Sequence, residues 1–278
     1  VTRGLGRLLW AFAVVAVLAH LGLGVLAVVE DLRLDWIRSM PYDFTAVTVV
    51  ACSALLAVAG ALRVAVPAAR GGRALRRLLR TAGRPLPVPV RAAAQVLGIA
   101  GLVDVVGTVE AFAVTHGLVR PRILLSTGLV EALDAAELTA VLVHERHHLR
   151  RRDPLRLLAA RVLAGYGWYL PLLHWWAKRL ALGRELAADR AATTSTGVAA
   201  VAGALLKLAE RPAPAAVAAA NPMGNLPDRI AHLEGRTVVR RTRVGWLLAG
   251  ATLANLGVLG AATMCCVGLG AAVAGGMS

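Results

Sequence analysis

His144, Glu145 and His148 spell H-E-x-x-H within Val143-His144-Glu145-Arg146-His147-His148, a spacing that on a helix suits zinc-assisted hydrolysis. Residues four apart on an α-helix differ by about 40° in azimuth and about 6 Å in height, so both imidazoles can reach one ion. Glu145 falls on the adjoining face. There its carboxylate would stand beside the open position of a three-ligand zinc site, where a water needs a general base. His147 points off that face and reads as structural.

The chemistry requires that these residues sit on a helix. Asp134 has the position of an N-cap and Glu137 that of its capping-box partner. Leu138, Val141 and Leu142 then continue at helical spacing through Leu149. A third ligand is needed, and Arg184-Glu185-Leu186-Ala187-Ala188-Asp189-Arg190 offers E-x-x-A-D on a second helix. Glu185 is the expected ligand. Asp189, one turn on, is placed to accept the free ring N–H of His144 and fix its tautomer. The alternative for both carboxylates is an ordinary helix position paired with an arginine.

The pairing of H-E-x-x-H with E-x-x-A-D resembles the gluzincin metallopeptidases of the membrane-bound M48 and M56 families, and the details are similar to the BlaR/MecR type of M56. Phe112 to Leu129, with Arg120-Pro121 before a hydrophobic strand, resembles that family's β-hairpin. The stretch around Pro171 resembles its aromatic-proline segment ahead of the glutamate-bearing helix. The likeness covers residues from roughly 85 to 235 and implies one Zn²⁺ per chain held by His144, His148 and Glu185, with Glu145 as catalytic base and Asp189 orienting His144. It departs from the related M48 pattern at Asn221-Pro222, where Thr-His-Pro is usual before Arg229-Ile230-Ala231-His232-Leu233. The group that stabilises an oxyanion is therefore unassigned, with His116, His174, His232 and Arg190 as candidates.

Composition says where this chemistry takes place. Hydrophobic residues make up 58% of the chain and its mean hydropathy is +0.65, above the usual apolar share of a soluble domain. The expected class is a multi-pass membrane protein, α+β and mostly helical, with a cytoplasmic gluzincin-type zinc-peptidase domain. Residues 1–69 read as a transmembrane hairpin with spans at about 8–29 and 44–62, and 70–90 as an Arg/Pro-rich linker. Residues 91–240 read as the metallopeptidase domain, and 244–276 as a C-terminal transmembrane segment. Arg3 and Arg7 precede the first span, Glu30, Asp31, Asp35 and Asp43 follow it, and Arg63 to Arg84 follow the second. The positive-inside rule then puts the middle domain in the cytoplasm, at the plasma membrane of a bacterial cell.

The net charge of +15 does not point to nucleic acid, because much of the arginine excess flanks predicted spans, facing anionic lipid headgroups, and no nucleic-acid-binding motif accompanies it. Cys52, Cys265 and Cys266 lie in predicted spans and have no zinc-site spacing. Within the middle domain, residues 104–115 and 121–126 read as short strands turning at His116-Gly117. Asp153-Pro154 reads as the N-cap and first residue of a helix running to about Tyr169, which could lie against the bilayer, and 210–228 as a loop. Arg146, Arg150, Arg151 and Arg152 make burial of the H-E-x-x-H helix in the bilayer costly, so the site is expected outside it.

The resulting expectation is a membrane-anchored zinc endopeptidase acting on a cytoplasmic or membrane-proximal protein. By the resemblance that substrate is a DNA-binding repressor in a signalling pathway, with the stimulus supplied by a separate sensor protein. The alternatives are a non-catalytic membrane scaffold with this fold and a broad-specificity quality-control protease.

Overall fold

Helices dominate the chain because long apolar and alanine-rich runs are broken only at Pro, Gly and capping residues. The computed structural model describes residues 44–211, 226–236, 245–255 and 257. In chain order the helices are α1 (Phe44–Arg80), α2 (Val88–Val96), α3 (Thr127–Ala132), α4 (Ala135–Arg151), α5 (Asp153–Tyr166), α6 (Pro171–Thr196), α7 (Val198–Glu210) and α8 (Leu226–Leu233). Residues 245–255 are also helical. The strands are β1 (Val103–Val106), β2 (Ala113–His116) and β3 (Arg122–Ser126). This is an α+β chain, mostly helical with one small sheet.

The described residues cluster into two units, one with residues up to Val64, Arg161–Trp176 and those from Arg241 on, the other with Ala65–Ala160 and Ala177–Arg240. In the first, Arg63 lies over the ring of Trp168 at 4.9 Å. The N–H of Leu172 donates to Oγ1 of the buried Thr252 at 3.3 Å, and Asn255 donates to the Tyr169 carbonyl at 3.0 Å. A Cβ on Gly60 would come within 3.0 Å of the Tyr166 carbonyl oxygen, so glycine permits that approach.

Among the described residues no helix is long and apolar enough to cross a membrane. The expected span 8–29 lies outside the described residues, as do most of 244–276 and most of the expected loop at 210–228. The expected span 44–62 opens α1, where side chains are described at Leu55 and from Val58 onward. The described helices thus lend the multi-pass arrangement no support.

The second unit is built on the sheet, in the order β1-β3-β2, with β3 parallel to β1 and antiparallel to β2. The run 104–115, expected as one strand, is two: the chain leaves the ladder after Val106 and re-enters at Ala113. Period-two alternation then assigns each face. Val103, Val105, Ile123 and Leu125 pack with Val90 and Ala94 of α2, Leu138, Val141 and Leu142 of α4, and Ala204 of α7. On the opposite face Val106, Phe112, Val114 and Leu124 meet Leu75, Leu78 and Leu79 near the end of α1. In β2, Val114 faces α1, so its neighbours Ala113 and Thr115 face α4. The β2–β3 hairpin turns at Gly117, whose φ of +88 is one that glycine adopts without strain.

Three local devices fix α4. Asp134 caps the N–H groups of Ala136 and Glu137, and the Glu137 carboxylate returns to the Asp134 N–H, completing the expected capping box. Lys207 of α7 holds the same Glu137 carboxylate at 2.6 Å. At the far end Arg152 closes the helix in the left-handed region, φ 51, and so redirects the chain straight into Asp153.

Candidate metal centre

α4 presents His144, Glu145 and His148 from its buried face, and α6 brings Glu185 and Asp189 to meet them. One donor atom from each of His144, His148 and Glu185 lies within 4.8 Å of the other two, and all three residues are buried. Nε2 of His144 and Nε2 of His148 are 3.0 Å apart. The Glu185 carboxylate reaches each of these nitrogens at 3.6 Å, one oxygen to each ring.

The outer ring nitrogens determine the chemistry of the inner pair. Nδ1 of His144 lies 3.0 Å from Oδ1 of Asp189, and Nδ1 of His148 lies 2.9 Å from Oδ2 of Asp153. An ionised carboxylate only accepts, so each Nδ1 carries its proton and each Nε2 of a neutral ring keeps a lone pair. Two lone pairs facing each other at 3.0 Å need a cation between them, either one proton or a metal. Zinc bonds of about 2.0–2.1 Å at tetrahedral angles put ligand atoms about 3.3 Å apart, between the observed N···N and N···O separations. Oε2 of Glu185 is buried and makes no hydrogen bond. The donor set therefore fits a zinc-sized cation.

The surrounding charges favour a cation at that point. Burial by itself disfavours the charged ring of His144, but its hydrogen bond to Asp189 and the Glu185 carboxylate beside it prevail and lift it to about 9. Burial also penalises the carboxylates of Glu185 and Asp189. The positive charge of His144 and Arg229, both of which also hydrogen-bond Asp189, nevertheless holds both below the usual range, Glu185 at about 2.

The sequence did not single out three participants. Asp153 is 1% exposed. It opens α5, yet its carboxylate turns back to His148 where an N-cap role was expected, and Arg184 and Arg156 flank its other oxygen at 3.4 and 3.8 Å. Its position five residues past His148 was the available signal. Arg229 comes from α8 and grips Asp189 with two bonds of 2.8 and 2.6 Å, while its other terminal nitrogen lies 3.2 Å from Glu185. The arginine alternative raised for these acids is thus realised together with the histidine contacts. Thr115, on the α4-facing side of β2, donates its hydroxyl to Oε2 of Glu145 at 2.6 Å.

A cavity of about 80 Å³ adjoins His144 and Glu145 and runs between α4 and α7, with Phe112, Val141, Val201 and Leu205 in its wall and Asp189 and Arg229 at its polar edge. None of His116, His174, His232 and Arg190 lines it. His232 instead accepts a hydrogen bond from Arg190 at 3.1 Å. Burial depresses the ring of His116, which ends β2 near Asp104 and Arg122. His147 stands edge-on to His148 at 6.3 Å and outside the three-donor cluster.

Residues 109–233 match the family model of the BlaR1 peptidase M56. A 56-residue stretch is 44% identical to a protein described as a protease HtpX homolog from Acidiphilium cryptum (strain JF-5), and covers 20% of this chain and 20% of that relative. The match thus spans about a fifth of the relative's length. By these two matches the chain is related to the M56 and M48 peptidases.

Proposed function

We propose that the chain is a membrane-associated zinc endopeptidase in which His144, His148 and Glu185 hold the metal and Glu145 is the general base. The observation that carries this reading is the pair of histidine Nε2 atoms at 3.0 Å, each ring fixed from behind by a buried carboxylate. A structural zinc site closes its fourth position with another protein ligand. Here three donors converge and the neighbouring acid, Glu145, is held by Thr115, an arrangement that favours catalysis over a scaffold role.

Zinc in this site supplies Lewis acidity toward a peptide carbonyl and toward water. Glu145 takes the proton of the attacking water and returns it to the leaving amine. Asp189 and Asp153 keep both imidazoles in the tautomer that offers Nε2 inward. Arg229 balances the charge of Asp189 and Glu185, so that the buried carboxylates do not confront one another alone. The outer edge of β2, which pairs with no further strand among the described residues and carries Thr115 next to Glu145, can take an extended substrate as an added strand.

Membrane association rests on the relatedness to M56 and M48 peptidases, on the apolar sequence at 8–29, 44–62 and 244–276, and on exposed Leu55, Val58, Leu247 and Leu253. The arginine distribution supports a multi-pass topology with the peptidase domain in the cytoplasm. The substrate is then a cytoplasmic or membrane-proximal protein. A DNA-binding repressor, signalled through a separate sensor, is the specific case favoured by the BlaR/MecR likeness.

The test is zinc content by elemental analysis of the detergent-purified chain, beside cleavage of an unfolded protein. Wild type should hold about one zinc per chain, Glu185→Ala should lose it, and Glu145→Gln should keep it while cleavage falls by about 10²–10⁴-fold. A wild type that binds no zinc, or a Glu145→Gln chain that cleaves normally, refutes the assignment.

A further inference from the structure

We propose that Arg70, Arg73, Arg76, Arg77 and Arg80 of α1 form a docking stripe for the anionic phospholipids of a bilayer, given the membrane association proposed above. All five are exposed, and on a helix they fall within about 120° of azimuth and about 15 Å of length. Leu75, Leu78 and Leu79 lie on the opposite side, packed against Val106, Val114 and Leu124 of the sheet. The sheet thus holds α1 by its apolar side and leaves the arginine side to solvent.

The stripe has no counter-charge of its own. The sequence has no Asp or Glu between Asp43 and Asp104, and among the described residues none of the five arginines pairs with a carboxylate. Asp104 itself is taken by Arg122. Spacings of three and four make like-charged neighbours of Arg70 and Arg73, of Arg73 and Arg77 and of Arg76 and Arg80, which weakens a helix. The helix C-terminus offsets this for Arg77 and Arg80 in the last turn, but not for the other three. Anions supplied from outside remove the repulsion, and a guanidinium grips phosphate with paired N–H donors. A bilayer is the favoured source because the same helix opens with the apolar run 44–62, and basic clusters next to such runs bind anionic headgroups. Pro67 lies between the two parts and interrupts the backbone hydrogen-bond ladder, so the arginine part can follow the surface rather than the axis of the apolar part. Docked there, the sheet lies about one helix diameter, ~10 Å, from the phosphates. The peptidase centre then meets polypeptide close to the bilayer first.

The experiment uses the full chain with Cys52→Ala, Cys265→Ala and Cys266→Ala and a fluorophore on Ala69→Cys, a position exposed on the arginine side. It is reconstituted into vesicles of phosphatidylcholine alone or with about one third phosphatidylglycerol, carrying a headgroup-attached quencher, and vesicle binding is read separately by flotation. Quenching should appear only with phosphatidylglycerol and vanish at about 0.5 M salt, where the screening length drops to about 4 Å. The docked-to-free ratio should fall about fivefold for each of Arg73→Gln, Arg76→Gln and Arg77→Gln added, while Lys at the same positions keeps it. Equal quenching in both vesicles, or full quenching in the triple Gln variant, overturns the stripe even where the chain floats with both. Flotation with phosphatidylglycerol vesicles alone, lost in the triple Gln variant, upholds the stripe and sinks the multi-pass reading. No flotation with either removes both. A response to a duplex oligonucleotide, with none to phosphatidylglycerol, reassigns the stripe to nucleic acid and overturns the lipid proposal.

Discussion

Replacing Asp153 tests the geometry of the metal centre most directly, because Asp153 touches the metal only through His148. Its Oδ2 accepts from Nδ1 of His148 at 2.9 Å, and the residue is almost fully buried. Asp153→Asn keeps an acceptor in place but removes the charge, which lowers the basicity of the ring and so weakens its bond to zinc. Asp153→Ala removes the acceptor too and leaves a buried N–H unpaired. A hydrogen bond to a charged group contributes about 1.5–3 kcal/mol, and loss of such an outer partner weakens metal affinity by about 10–100-fold. The expected zinc Kd, measured by competition with a chromogenic chelator, therefore rises about tenfold in Asp153→Asn and about a hundredfold in Asp153→Ala. Arg150→Ala, exposed near the end of α4, should leave it unchanged. Wild-type affinity in both Asp153 variants would refute the argument that the carboxylate sets the tautomer of His148.

The remaining predictions concern the other charges. In the metal-free chain the His144 ring titrates at about 9 against about 6.5 unfolded. Its folded value is raised, so its contribution to stability is full below about 6.5 and is lost as pH rises through about 9. Zinc must displace that proton, so zinc affinity should climb about tenfold per pH unit between 7 and 9, and a flat profile by calorimetry would count against it. Arg229→Ala leaves Asp189 and Glu185 buried without their cation and should cost about 3–5 kcal/mol in metal-free urea unfolding; a loss under about 1 kcal/mol would mean the pair is not formed. Thr115→Val frees the Glu145 carboxylate and should lower kcat by about tenfold with KM unchanged, a loss of about 1.4 kcal/mol, while Thr115→Ser restores it. Equal activity of the Val variant would show that the hydroxyl does not position the base.

How legible each residue was follows from how far its partners lie along the chain. The capping box at Asp134 and Glu137 and the inward face shared by His144 and His148 are set by helix geometry over three and four residues, so spacing alone was enough. Glu185 and Asp189 could be paired with that face only by a second motif at helical spacing. Asp153 was visible but misread, because Asp-Pro after a helix is a common start signal. Only the left-handed turn at Arg152 aims its carboxylate back at His148. The break of 104–115 into two strands was passed over because Val109, Ala111 and Phe112 keep up the apolar pattern beyond Gly107-Thr108, where the backbone leaves the ladder.

The helices, the H-E-x-x-H and E-x-x-A-D faces and the alternation that gives the sheet two apolar sides are local periodicities, and so were legible from residue spacing. Tertiary structure alone decided the order β1-β3-β2, the contact of Thr115 with Glu145, the grip of Arg229 on Asp189 and the apolar cavity beside the metal ligands. These join segments far apart in the chain. Their partners are chosen by which buried charges and apolar faces must be satisfied once the helices pack, a condition that no spacing in the sequence encodes.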